Sequence, residues 1–298
     1  MKILFTGATG VLGSAAVPLL VEAGHEVKAL GRRDVDLFDP VDVAQAVDGF
    51  DAVFHFATAL PPPEEMSKRE AWRTNDRLRS EATANLVDAA IAAGVVVFVQ
   101  ESVTFSYADG GERWLDEDAA IDSPSEVIDS ALSAEENVAR FSAHGGRGIV
   151  LRLGRLYGPG RVSGAYLETV AARQMPILGK GNNYVSHLHL HDAGTAIAAA
   201  VDAPAGIYNV VEDEPVTVAK EMEVLVAALD APKPRRVPVW LVRRMMGPIA
   251  GLLTVSQRVS NGRFRETTGW APAYPSVREG WPEVVATSAT DNGFMEAS

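Results

Sequence analysis

Three evenly spaced glycines constrain this chain more than any other feature. The stretch Thr6-Gly7-Ala8-Thr9-Gly10-Val11-Leu12-Gly13 follows directly on a short apolar run and opens a helical pattern. Glycines at 7, 10 and 13 allow a tight turn, a close backbone approach to a pyrophosphate and dense helix–sheet packing. The first turn of the helix then offers free N–H groups to an anion. Such a motif is weak on its own, but here the strand before it and the helix after it supply the required context.

The rest of the first two-thirds continues that rhythm. Ile3–Thr6, Glu26–Leu30, Ala52–Phe56, Val95–Gln100 and Ile149–Leu153 read as buried parallel strands. Helices are expected over Leu12–Ala23, Val41–Val47, about Glu65 to Ala93, and Pro124–His144, with Gly24 and Gly94 at two of the stops. Strand and helix in alternation make an α/β fold with a doubly wound parallel sheet. Beyond Leu156 the texture changes at Gly158-Pro159-Gly160. Residues of about 160–183 and 212–285 are expected to fold apart from the sheet, with the stretch between them returning to it. Residues 287–298 read as a frayed tail.

Composition removes several function classes. The net charge of −12 disfavours binding to nucleic acid. Cysteine is absent, which excludes disulfides, thiolate nucleophiles and cysteine zinc sites, and suits the cytoplasm. Ile3–Phe5 is too short for the core of a signal peptide, and Pro238–Val255 is too charged to span a membrane. A soluble protein is expected.

The end of the second strand bears on the nucleotide. An NAD site places Asp or Glu there for the ribose 2′-hydroxyl, whereas Arg suits the 2′-phosphate of NADP. The chain reads Leu30-Gly31-Arg32-Arg33, so NADP(H) is expected, with Arg32 as the nearer clamp and Arg33 beside it. A solvated basic turn is the plain alternative, and Asp34 and Asp36 keep NAD open. Asp36-Leu37 fits the adenine edge.

These features resemble the extended short-chain dehydrogenase/reductase family, the epimerase/dehydratase superfamily. The resemblance runs through Thr6–Gly13, Val53–Ala59, Asn75, Ala84–Ala90, Val96–Ser102 and Arg152–Gly160, and on to His189–Asp192, Tyr208–Val210 and Gly269–Pro272. It implies a Rossmann-type domain of residues 1–159 plus about 185–211. It further implies a small C-terminal substrate domain of about 160–184 plus 212–285. Cofactor contacts carried over are Gly7, Thr9, Gly10, Val11, Leu12, Ala57, Thr58, Ala59 and Leu153. The family's chemistry uses a Ser or Thr after the strand Val96–Ser102 and a Tyr-x-x-x-Lys on the next helix. Ser102 and Thr104 are the candidate hydroxyls, since the register itself falls near Val103. The tyrosine and lysine are missing. Aligned on Ser130 and Glu135, their positions hold Val127 and Ala131, and no lysine has a tyrosine four residues before it.

That absence directs the functional reading. A nucleotide-sugar epimerase or dehydratase leans on the tyrosine, whereas a reductase tolerates its loss if the substrate supplies the proton. The leading expectation is an NADPH-dependent ketoreductase acting on a bulky aromatic or polyketide-like ketone, with the proton from the substrate's hydroxyl or from water. This resembles the tyrosine-less angucyclinone ketoreductases of actinobacteria, of the simocyclinone kind. The rivals are a non-catalytic NADP-binding sensor and a nucleotide-sugar enzyme with a relocated acid. Tyr107, Trp114, Tyr157, Trp240 and Met245 are candidate substrate contacts, against a plain reading as core. His187, His189 and His191 alternate, but without cysteine or a carboxylate cluster no metal site is expected. A small-molecule ketone is the expected partner, with no nucleic acid and no membrane, and the chain a monomer or weak homodimer.

Overall fold

The sheet grows outward in both directions from the first strand. The computed structural model describes all residues except 63–64, 67, 123–125, 247–253 and 296–298, and leaves out the side chains of 126–127, 161, 242–243, 245–246 and 289–295. The strands are β1 (Lys2–Thr6), β2 (Glu26–Leu30), β3 (Ala52–His55), β4 (Val97–Val103), β5 (Arg147–Leu153) and β6 (Gly206–Val210). All are parallel, in the order β6-β5-β4-β3-β1-β2. Because β2 and β3 flank β1, the chain reverses direction there, the switch point beyond whose strand ends sheets of this kind bind their ligands.

Strand burial explains the architecture. Ile3, Leu4 and Phe5 are all inaccessible to solvent, as a strand covered on both faces requires. Ile3 and Phe5 face α1 (Val11–Glu22), through Leu12, Ala16 and Leu20. Leu4 faces the opposite layer of α2 (Pro40–Val47), α3 (Thr83–Ala92) and α4 (Glu126–Ala143), through Val43, Leu86 and Phe141. The chain continues through α5 (Gly164–Ala171), α6 (Leu190–Ala199), α7 (Val218–Ala228), α8 (Val239–Met246), α9 (Gly262–Thr268) and α10 (Val277–Met295). A second core, with Tyr157, Leu167, Met222, Leu225, Trp281 and Val284, unites α5, α7 and α10. No described helix is long and apolar enough to cross a membrane.

Several boundaries differ from the sequence reading for definable reasons. β4 begins at Val97 rather than Val95, because the Val95 and Val96 amides are taken by the Ala90 and Asp51 carbonyls. The expected helix from about Glu65 is broken into a 3₁₀ turn (Arg69–Trp72), one α turn (Arg73–Arg77), a π turn (Leu78–Ala82) and α3. At the π turn the Leu78 carbonyl accepts from His55 Nε2 at 3.1 Å and Thr83 Oγ1 at 3.3 Å. His55 Nδ1 in turn accepts from Thr6 Oγ1 at 2.6 Å. Burial holds that imidazole neutral, with its pKa pulled down to about 4. At the other end of the chain, α10 runs through Thr287 to Met295, where a frayed tail was expected.

Candidate active site

The glycine loop sits at the crevice between β1 and β3. Gly7 adopts φ +81°, and a Cβ there would lie 2.5 Å from the Phe56 carbonyl oxygen. A Cβ on Gly13 would lie 2.5 Å from both Ala8 Cα and the Gly7 oxygen. Gly10 differs, since its Cβ would meet only the Gly7 oxygen, at 3.1 Å, and the rest of its surroundings are open. Gly10 is also the N-cap of α1, which has no side-chain cap and no acidic residue in its first turn. Those amides therefore face an open site. Thr9 and Val11 are exposed beside them, and Leu12 turns into the core.

The neighbouring strand ends close the crevice. The Gly7 amide donates to the Leu30 carbonyl at 3.2 Å, tying the loop to the end of β2. Past it, Gly31 N donates to Asp34 Oδ2 at 2.6 Å, and this turn presents Arg32 and Arg33 to solvent. Neither arginine has a carboxylate partner among the described residues. Asp36 Oδ1 accepts from Phe38 N at 2.9 Å, and the Leu37 carbonyl accepts from Asn85 at 3.1 Å. Ala57, Thr58 and Ala59 leave β3 half-buried, with Ala59 N donating to Asn75 Oδ1 at 3.1 Å. Leu153 ends β5 with its side chain in the main core.

Past β4 the structure holds a buried polar network. Ser102 Oγ, which is fully buried, donates to Glu135 Oε1 at 2.6 Å. The same carboxylate takes Arg152 Nε at 2.9 Å and Nη2 at 2.6 Å. Arg152 Nη1 donates to the Tyr107 hydroxyl at 2.9 Å, and that hydroxyl donates to Asn209 Oδ1 at 2.8 Å. Thr104 shows no hydrogen bond through its hydroxyl among the described residues. Ala131 is fully buried on α4, and the side chain of Val127 lies outside the described residues. Glu135, one turn beyond Ala131, belongs to no motif in the sequence, because its partners Ser102 and Arg152 come from two distant strands.

Tyr107 and Tyr157 are both almost fully buried. Burial raises the Tyr107 hydroxyl above its ordinary range, against the pull of Arg152. Tyr157, also expected at the substrate, is enclosed in the second core against His189 and Trp281. Its hydroxyl has no hydrogen-bond partner among the described residues, and burial, then Glu212 and Asp192, push its pKa well up. Trp114 and Trp240 are exposed, and the Met245 side chain lies outside the described residues.

His187 and His189 both meet the Tyr157 ring edge-on, and only His191 departs from them. His187 and His189 lie on a short strand, and His191 is exposed on α6. His187 is fully buried, with Nε2 3.2 Å from Glu221 and Nδ1 3.4 Å from Glu212. Burial presses it toward the neutral form, but the two carboxylates outweigh that and raise its pKa to about 9. Burial raises Glu221, but His187 outweighs it and brings the pKa down to about 2. The Glu212 carboxylate also accepts Val277 N at 2.7 Å, so the cluster clamps α7 and α10 to the His187 strand. Since His187 titrates higher folded than its ordinary 6.5, its contribution is complete below that pH and is lost as pH rises through about 9. The Glu221 contribution is complete above 4.5 and is lost toward about 2. Thermal melts across this range should fall off on the alkaline side in wild type, with a shallower alkaline fall in His187→Gln. Equal slopes would contradict the clamp.

Comparison with known proteins places this geometry. Residues 3–211 match the model of the NAD dependent epimerase/dehydratase family. A 3-diazoavenalumate denitrifying reductase from a Streptomyces species is 36% identical, covering 94% of this chain and 99% of that protein. A 2-alkyl-3-oxoalkanoate reductase from Stenotrophomonas maltophilia is 27% identical over 78% of this chain and 77% of its own length. Among solved structures, the human epimerase family protein SDR39U1 with NADPH superposes with a TM-score of 0.78 at 21% identity, covering 96% of this chain and 99% of that one. The dTDP-glucose 4,6-dehydratase DesIV from Streptomyces venezuelae gives 0.79 at 20% identity, covering 99% and 98%. With the glycine loop at the switch point of a six-stranded parallel sheet and a family model spanning most of the chain, this protein belongs to the NAD dependent epimerase/dehydratase family, the extended short-chain dehydrogenases/reductases.

Proposed function

We propose that the chain is an NADP(H)-dependent reductase that passes hydride to the carbonyl of a bulky aromatic or polyketide-like substrate without a protein acid. The observation carrying this reading is an open glycine loop in a chain that holds Val127 and Ala131 where the family carries tyrosine and lysine. Ala131 is buried, Ser102 is bound to Glu135, and the hydroxyls of Tyr107 and Tyr157 are enclosed. A dinucleotide fits the residues present, because Gly10 and the uncapped first turn of α1 leave space and donors for a pyrophosphate. Arg32 and Arg33 are exposed and, among the described residues, have no carboxylate partner, which suits a 2′-phosphate. The bound dihydronicotinamide supplies a hydride. We assign the Thr104 hydroxyl, just past the carboxyl end of β4, to orienting the carbonyl.

Loss of a general acid costs roughly 10²–10⁴ in rate. A phenol or enol already bonded to the reacting carbonyl offsets that loss by giving its own proton to the alkoxide and regaining one from water. Two relatives are named reductases, one of them of 3-oxoalkanoates, in keeping with this chemistry.

The first of them favours a second reading. An aryldiazonium accepts one hydride to give a neutral diazene, which leaves as arene and dinitrogen, so its reduction creates no oxyanion and needs no acid. The experiment is to mix protein and NADPH with hydroxyaryl ketones, their O-methyl ethers and an aryldiazonium salt, following loss of the reduced nicotinamide. Oxidation with the hydroxyketones, at least ~10²-fold slower with the ethers, is expected. Dinitrogen release with the diazonium alone would select the second reading. Tight NADPH binding with no turnover would leave a sensor.

A further inference from the structure

We propose that Arg258, held between Trp114 and Tyr184, anchors a carboxylate on the substrate, so that the acceptor is an aromatic acid; the inference rests on the reductase reading above. Arg258–Val259 pairs in parallel with Trp114–Leu115, residue 258 opposite 114. Val259 and Leu115 point inward, into a small core with Tyr107 and Val211. Alternation along a strand therefore puts Arg258 and Trp114 on the other face. There the guanidinium carbon lies 4.1 Å from the Trp114 ring centre and 5.0 Å from that of Tyr184.

Among the described residues the arginine has no acid of its own. Its neighbours in sequence are matched, Arg263 with Asp118, Arg265 with Asp213 and Arg278 with Glu214. Arg258 has no ion pair among the described residues, and its buried Nε lacks any hydrogen-bond partner. Aromatic faces hold the planar group and attract its charge, but they leave its in-plane N–H donors unused. That edge suits a planar, bidentate oxyanion better than a point charge.

Position links this cation to the hydride-accepting end. Gln257 Nε2 donates to the carbonyls of Phe105, at 3.3 Å, and Tyr107, at 2.5 Å. Gly110 N donates to the Ser256 carbonyl at 2.9 Å. The strand bearing Arg258 is thus stitched to the loop that leaves β4 immediately after Thr104. Phe105 on that loop is 41% exposed, and Trp114 is 49% exposed. Exposed aromatic surface beside an unpaired guanidinium fits a flat, apolar body ending in an acid.

Calorimetric titration tests this without turnover. The probes are cinnamate, its uncharged twin cinnamamide, and inorganic phosphate, added to the full chain with NADP present. Wild type should bind cinnamate ~10–100-fold more tightly than cinnamamide, the range of a charge-assisted pair. Added salt should narrow that gap. Arg258→Met should erase the preference while leaving cinnamamide affinity in place, which also reports that the variant is folded. Arg258→Lys should restore only part of it. Equal binding of acid and amide, a preference that survives Arg258→Met, or no cinnamate binding at all would overturn the proposal. Phosphate competing as well as cinnamate would reduce the site to a general anion contact and overturn the aromatic-acid assignment. A wild type that prefers cinnamate but oxidises NADPH with neither the hydroxyaryl ketones nor the diazonium salt would sink the reductase reading while keeping the anchor.

Discussion

Replacing Glu135 by Ala is expected to destabilise the protein by about 3–5 kcal/mol, the cost of stranding one member of a buried ion pair. The Arg152 side chain is 5% exposed and the Glu135 side chain 8%. The carboxylate accepts two bonds from Arg152 and one from Ser102. Its removal leaves a buried guanidinium with only the Tyr107 hydroxyl. Glu135→Gln should cost less, because one amide oxygen still accepts. Pairing Glu135→Leu with Arg152→Met should recover much of the loss, since no charge then remains to be desolvated. Urea unfolding of the four proteins checks this. A single-variant cost below about 1 kcal/mol, typical of exposed pairs, would mean that the network is solvated.

Gly13→Ala is expected to abolish cofactor binding through the fold itself. The new Cβ would lie 2.5 Å from two backbone atoms of the loop, neither of which can rotate away. Overpacking of this kind costs about 1–3 kcal/mol. It also displaces Ala8 and Gly7, whose position sets the turn. Gly10→Ala is the informative contrast, because its Cβ meets only one protein atom, at 3.1 Å. That variant should keep its unfolding midpoint but lose at least ~10-fold in NADPH affinity, about 1.4 kcal/mol, since the methyl group occupies the face left open for pyrophosphate. Fluorescence titration of NADPH alongside thermal melts separates the two. Unchanged binding in both variants would show that the loop holds no dinucleotide.

Legibility in the sequence followed the range of the interactions involved. The glycine loop, the strands and α1 rest on local propensity and burial, and these are written in consecutive residues such as Ile3-Leu4-Phe5. The π turn at Leu78–Ala82 depends on His55, more than twenty residues away, and helical periodicity carries no trace of it. Ser102 and Thr104 looked equivalent because a hydroxyl's partner is set by the next helix. Only in the fold does Glu135 take Ser102 and leave Thr104. The unpaired state of Arg258 is likewise a tertiary fact, created by a strand pairing across almost half the chain.

The central claim is hydride transfer without a protein acid. Its most direct measurement uses NADPH deuterated at C4 with a hydroxyaryl ketone, in wild type and in the Tyr107→Phe/Tyr157→Phe double variant. Deuterium is expected on the former carbonyl carbon in both, at rates within about tenfold, because general-acid loss would cost roughly 10²–10⁴. A folded double variant that binds NADPH but is slowed beyond ~10²-fold would contradict it, and would return the proton to a tyrosine.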